Sequence, residues 1–207
     1  TGQFRARHRH GRWGKLAQFK DVFPPKTVAT EGYAPNLPVA RAKLTPLGVE
    51  VIDFYDDLAA VLPLPAASFD LVINRHSSFN AVDIERVLTP GGVFLTQQVD
   101  GRNLSDLSAA FEAEQPWTFF TLDYALNLIG QSNLVVEIAQ EWTGKLIFKD
   151  VATLVYYLVA IPWTVPDFSV EKYRPHLEKL QQQLDAEGEL VFTQRRMLIK
   201  ATKSHII

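Results

Sequence analysis

The apolar positions of this 207-residue chain fall into short runs separated by polar and Gly/Pro-rich breaks, and the best defined lies between Ser68 and Val99. Phe69, Leu71, Val72 and Ile73 form a nearly continuous apolar run, the pattern of a strand covered on both faces. It stops at Asn74-Arg75-His76-Ser77-Ser78, a polar cluster at the C-terminal end of that strand. Asp83, Ile84, Val87 and Leu88 then carry a helical turn or two with an apolar stripe. Pro90-Gly91-Gly92 predicts a break, and Val93-Phe94-Leu95 opens the next buried strand.

The same alternation of apolar runs and breaks extends outward. Leu16, Phe19 and Val22 share one face of a short helix that Pro24-Pro25 should end. Lys26 to Thr30 reads as a strand closed by Glu31-Gly32-Tyr33. Asn36 is placed to cap a helix through Val39, Ala40 and Leu44, Gly48 ends it, and Val49, Val51 and Phe54 form a third strand before Asp56-Asp57-Leu58. Beyond Val99, helices are expected over Leu104 to Phe111 and Phe119 to Ile129. Val135 to Trp142 and Lys145 to Phe148 look extended, with a break at Thr143-Gly144. Asp150 caps a helix to Ile161, Val170 to Ala186 is amphipathic with Leu177, Leu180 and Leu184 on one face, and Leu190 to Lys203 is a last strand. Strands alternating with helices predict an α/β domain.

Composition narrows the class. Hydrophobic residues are 47% and charged residues 21%, which argues against disorder, and the length suits one well-buried domain. A net charge of −2 gives no global reason to expect nucleic acid or an anionic membrane. Cysteine is absent, so disulfides and thiolate metal sites are excluded. The scattered histidines do not suggest a metal centre. Val151 to Val165 is shorter than the roughly 20 residues of a membrane span and reads as a buried helix. With no signal peptide in residues 1–20, a cytoplasmic location is expected.

The phrases Ser68-Phe69-Asp70-Leu71-Val72 and Arg86-Val87-Leu88-Thr89-Pro90-Gly91-Gly92 resemble class I S-adenosylmethionine-dependent methyltransferases in wording and spacing. The resemblance covers residues 15–100, the cofactor-binding half, and extends over 101–207, the substrate side, only by the order of elements. It implies a single domain over 1–207 with a three-layer α/β/α Rossmann-like fold. Its sheet would be seven-stranded and mostly parallel, with an antiparallel last strand.

The resemblance also implies a site. Glu31, followed by Gly32, ends the second strand, where a carboxylate can accept two hydrogen bonds from a ribose diol. The plainer alternative is a glutamate capping a turn. Asp57, with Leu58, would contact adenine, Asp56 being the alternate, and either aspartate could instead cap the next turn. Asn74 and Arg75 would lie beside the cofactor, Arg75 near a carboxylate. His76 could serve as general base or remain a hydrogen-bonding loop residue. The aromatic segment Tyr156-Tyr157, Pro162-Trp163 and Phe168 could wall a substrate pocket or simply fill a core.

Residues 1–14 read differently, with four arginines, two histidines and no acid. They could be a basic arm, a tag remnant or a phosphate-binding arm. Yet the resemblance puts the first strand and a glycine-rich loop here, of the type VLDIGTGGGE. As written, only Gly11 and Gly14 could serve that loop, so the N-terminus reads as truncated or garbled. A one-base shift of the codons from Arg5 to Lys15 permits the missing text: His8 becomes Ile or Thr, His10 becomes Thr or Met, and Trp13 becomes Gly.

The activity implied is methyl transfer from S-adenosylmethionine to an acceptor that the sequence does not mark. Two alternatives remain open: a methyltransferase-like binding module without catalysis, and an NAD(P)-dependent oxidoreductase, since a carboxylate after the second strand serves that cofactor as well.

Overall fold

The computed structural model describes residues 3–7, 13–55 and 57–205. In chain order the elements are β1 (Gln3–Arg7), α1 (Gly14–Ala17), β2 (Lys26–Glu31), α2 (Leu37–Leu44), β3 (Val49–Asp53), β4 (Phe69–Arg75), α3 (Ala81–Val87) and β5 (Leu88–Val99). They continue with α4 (Ser105–Ala110), α5 (Leu122–Ile129), β6 (Leu134–Phe148), α6 (Val151–Ala160), α7 (Arg174–Glu187) and β7 (Leu190–Lys203). Among the described residues the strands join one mixed sheet in the order β3-β2-β1-β4-β5-β7-β6. β3, β2, β1, β4 and β5 are mutually parallel.

By internal contacts the chain divides into two compact units. The first comprises Thr1–Gln98, Leu122–Gln140 and Met197–Ile207, the second Val99–Thr121 and Glu141–Arg196. In the first, Trp13, Leu16, Ala29, Ala40, Leu44 and Val49 pack α1 and α2 onto β2 and β3. Phe79 meets Phe94 edge to face at 5.3 Å, and Phe69, Val72, Ile84, Val87 and Leu88 are buried too. In the second, Leu107, Phe111, Leu154, Leu158, Leu177, Leu180 and Leu184 form the core with Phe148, Leu190 and Phe192.

Several expectations change. Gln3–Arg7 is a strand in the middle of the sheet, with Ala6 opposite Ala29 on one side and Ile73 on the other. It is not an arm. The helix expected through Leu16, Phe19 and Val22 ends at Ala17 and gives way to a 3₁₀ turn over Lys20–Val22. Leu16 is the member of that stripe with core partners, while Phe19 and Val22 are 60% and 73% exposed. Pro90-Gly91-Gly92 lies inside β5, where Thr89 to Gly92 stand opposite Asp70 alone. Gly91 takes the positive φ of 77° this irregularity needs, and a Cβ on Gly92 would lie 2.8 Å from the Thr89 carbonyl.

Thr143-Gly144 does not break β6, and the Trp142 ring covers the side of Gly144 where a Cβ would stand. α7 begins at Arg174 rather than Val170, since Pro175 favours the first helical turn. α6 is not buried all round. Leu154 and Leu158 face the core while Tyr156 and Val159 are exposed. Phe168 stacks on Tyr173 and both meet Phe111 edge-on, which makes that part of the aromatic segment core filling.

Asp150 caps α6 as expected, accepting from the Thr153 N–H at 2.6 Å and from Thr153 Oγ1 at 2.8 Å. The Thr153 backbone bond, then its hydroxyl, hold the Asp150 carboxyl below the usual carboxylate range. The cap's contribution is therefore present above the unfolded-state value near about 4 and is lost as pH falls through the lower folded value. Asp150→Asn should flatten that acid-side loss, which thermal melts across pH would show.

Candidate active site

β2 and β4 end on either side of β1, and in an open parallel sheet the crevice at such strand ends is where ligands bind. Glu31 is the last residue of β2 and is 2% exposed. Its carbonyl accepts the Phe54 N–H at 3.0 Å, tying the end of β2 to the chain leaving β3. Its carboxylate accepts from the Tyr33 N–H at 2.8 Å through Oε1 and from Asn36 Nδ2 at 3.3 Å through Oε2. Asn36 therefore spends its side chain on Glu31 and makes no side-chain cap to α2, contrary to the sequence reading. Gly32 follows because nothing larger fits: a Cβ there would stand 2.6 Å from Tyr55 Cα and 2.8 Å from the Phe54 carbonyl.

At the end of β4 the chain makes a tight polar turn. The Asn74 side chain is buried; its Oδ1 accepts from Thr96 Oγ1 at 3.1 Å and from Gln98 Nε2, and its Nδ2 donates to the Ser78 carbonyl at 3.2 Å. Gln98 Nε2 also donates to the Ser77 carbonyl at 2.8 Å. Asn74 thus serves to shape the turn. His76 sits at φ 53°, a left-handed conformation that costs energy outside glycine and is held here by its N–H bond to the Gln97 carbonyl at 2.9 Å. Arg75 Nε donates to Gln97 Oε1 at 2.8 Å, and burial pulls the guanidinium below its ordinary value.

After β3, Asp57 Oδ1 accepts the Ala59 N–H at 2.8 Å, which is the turn-capping geometry, and both Asp57 and Leu58 are exposed. Gly14 opens α1, directly after the buried Trp13. Gly11 and Asp56 lie outside the described residues. The structure thus brings the ends of β2 and β4 to one edge of the sheet and places the Asp57 loop beyond β3. It adds residues the sequence reading passed over, Thr96, Gln97 and Gln98. Their signal was available: a polar Thr-Gln-Gln run at the C-terminal end of a buried strand, the same pattern that marked Asn74 to Ser78. Among the described residues no group of three His, Asp or Glu could hold a metal ion.

No family model matches the chain, and no curated protein matches its sequence. Solved structures do match its fold. One is a Bacillus halodurans C-125 protein assigned provisionally as a methyltransferase, with TM-score 0.65 and 17% identity over 98% of this chain and 92% of the other. Another is the geranyl diphosphate C-methyltransferase of Streptomyces coelicolor A3(2), solved with Mg2+, geranyl diphosphate and S-adenosyl-L-homocysteine. It has TM-score 0.55 and 15% identity over 98% and 71%. The [4+2]-cyclase SpnF matches with TM-score 0.58 and 12% identity over 98% and 75%. The parallel order β3-β2-β1-β4-β5 and these likenesses together show that the chain has the class I methyltransferase fold.

Proposed function

We propose that this chain binds S-adenosylmethionine at the ends of β2 and β4 and transfers its methyl group to a nucleophilic acceptor. The observation that carries this reading is the Glu31-Gly32 corner. A buried carboxylate stands at the end of β2, next to a glycine that lets β2 and the chain after β3 approach more closely than a Cβ allows. That acceptor suits a ribose diol, whose hydroxyls donate, and the close approach suits a nucleoside laid across the strand ends.

In this reading Glu31 takes the ribose hydroxyls, and Gly32 keeps the crevice open. Asp57 and Leu58 bracket the adenine, Arg75 faces the carboxylate end, and Gly14, with Gly11, belongs to the loop facing the methionine portion. Asn74 and Gln98 fix the turn that presents Arg75 and His76. S-adenosylmethionine supplies a methyl group on a sulfonium, a leaving group already activated. The chain therefore has to align the acceptor, exclude water and accept one proton. His76, in the turn after β4, is the candidate proton acceptor.

A non-catalytic binding module is the second reading. It is favoured by the hydrogen bonds that both Glu31 carboxylate oxygens already make within the chain, and by the basic text at the loop position. Calorimetric titration separates the readings. Binding of S-adenosylhomocysteine without binding of NAD is expected. Binding of NAD alone would favour the oxidoreductase, and binding of neither would favour the module.

A further inference from the structure

α3 grips the loop that follows β3 with three side chains. Asn80, Asp83 and Arg86 recur every third residue, which puts them on one face of the helix. Asn80 Oδ1 accepts the Asp83 N–H at 3.2 Å as the helix cap, while its Nδ2 donates to the Ala60 carbonyl at 3.3 Å. Asp83, 4% exposed, accepts the Leu62 N–H at 2.8 Å through Oδ2 and Arg86 Nε at 2.6 Å through Oδ1. Arg86 then spreads its fork over the loop, with Nη1 to the Leu64 carbonyl at 2.7 Å and Nη2 to the Leu62 carbonyl at 2.9 Å.

This is a large share of the polar bonding that the loop receives. Pro63 and Pro65 have no N–H to give, and Leu58, Ala59 and Val61 are exposed, so apolar burial fixes the segment mainly at Leu62. The loop begins at Phe54-Tyr55, which closes over Gly32 beside Glu31. α3 in turn follows directly from the Asn74 to Ser78 turn. One short helix therefore couples the position of the Asp57-Leu58 segment to the turn that carries Arg75 and His76. A buried carboxylate is costly unless paired, and a paired one aimed at a loop amide defines that amide's position sharply.

We propose that Asn80, Asp83 and Arg86 are positioning residues that set the affinity for the adenine end of the cofactor by holding the Asp57 to Leu64 loop in place. This rests on the methyltransferase reading above. The test compares the unmodified chain with Asp83→Asn, Arg86→Gln, Arg86→Lys and Asn80→Ser, by calorimetry with S-adenosylhomocysteine well below the melting temperature and by hydrogen exchange. Asp83→Asn and Arg86→Gln should each weaken binding by about tenfold, roughly the loss of one charge-assisted hydrogen bond. They should also speed exchange of the Ala59 to Leu64 amides, leaving those of β2 and β4 unchanged.

Arg86→Lys, which keeps the pair with Asp83 but loses the fork, should fall between. Asn80→Ser keeps the helix cap and loses only the Ala60 contact. It covers the case in which the charge variants fail to fold, and should weaken binding about twofold to threefold. If the unmodified chain binds no S-adenosylhomocysteine, the methyltransferase reading fails and the affinity role falls with it. If it binds and folded variants bind equally well, or their loop amides exchange at the unmodified rate, the positioning role alone is overturned.

Discussion

Replacing Arg5→Val, Ala6→Leu, Arg7→Asp, His8→Ile, Arg9→Gly, His10→Thr, Arg12→Gly, Trp13→Gly and Gly14→Glu together, with Gly11 kept, is expected to tighten S-adenosylhomocysteine binding by about 100-fold. The substituted text is VLDIGTGGGE, the reading one base away from the codons of the chain as written. β1 pairs with β2 on one side and β4 on the other, all parallel. A parallel strand in that position reads as an apolar run, and Gln-Phe-Arg-Ala-Arg over residues 3–7 does not. Position and text disagree, which is the mark of a local choice that conflicts with the global fold. Trp13 adds to this, since its buried indole N–H has no hydrogen-bond partner among the described residues, a cost of roughly 1–3 kcal/mol.

The replacement supplies Val and Leu to β1 and a glycine-rich run after it, whose backbone a ligand can approach closely. Calorimetry on both proteins is the measurement. Equal affinities would show that the basic text does the loop's work. Trp13→Gly alone is expected to lower stability by about 3–5 kcal/mol through a cavity among Leu16, Ala29, Ala40 and Leu44, a cost that the full replacement shares and that thermal melts of both proteins would show. Resequencing of the gene across these codons is an independent check. Compensating frameshifts are expected, and a single clean frame would sink the idea.

Glu31→Ala is expected to weaken S-adenosylhomocysteine binding by about 100-fold, the equivalent of roughly 2–3 kcal/mol for hydrogen bonds to a charged group. The loss has two parts. The carboxylate that would meet the ribose disappears, and the Tyr33 N–H and Asn36 Nδ2 lose their acceptor. Glu31→Gln separates them. An amide oxygen can still accept the Tyr33 N–H, so the turn stays in place while the charge is gone. An intermediate affinity with an unchanged melting temperature would assign the difference to the ribose contact. If Glu31→Ala lowered the melting temperature and left affinity untouched, Glu31 would be a turn-capping residue and nothing more.

Much of the first unit was legible along the chain. The run from Phe69 to Ile73 lies in β4, Asp83, Ile84 and Val87 lie in α3, and Glu31 ends β2, because each depends on neighbours within a few residues. The misreadings share one cause. Pro90-Gly91-Gly92 and Thr143-Gly144 carry the local chemistry of breaks, but pairing with other strands carries β5 and β6 straight through them. Phe19 and Val22 carry a helical stripe that had no core to face.

The site divides in the same way. Glu31, Arg75 and His76 could be nominated from sequence, since polar residues at the ends of apolar strand runs mark the ligand edge of such a sheet. That Asn36 leaves its helix cap for Glu31 could not be read. Nor could the use of Asn74 on Thr96 and Gln98, or the reach of Arg86 across to Leu62 and Leu64. The sequence by itself determined which stretches become strand or helix and which strand ends are polar, because those follow from periodicity and short-range turn chemistry. Tertiary structure alone decided which polar side chains are spent holding loops. A hydrogen bond across 20 or more residues depends on where the sheet puts its partner, and no local pattern encodes that.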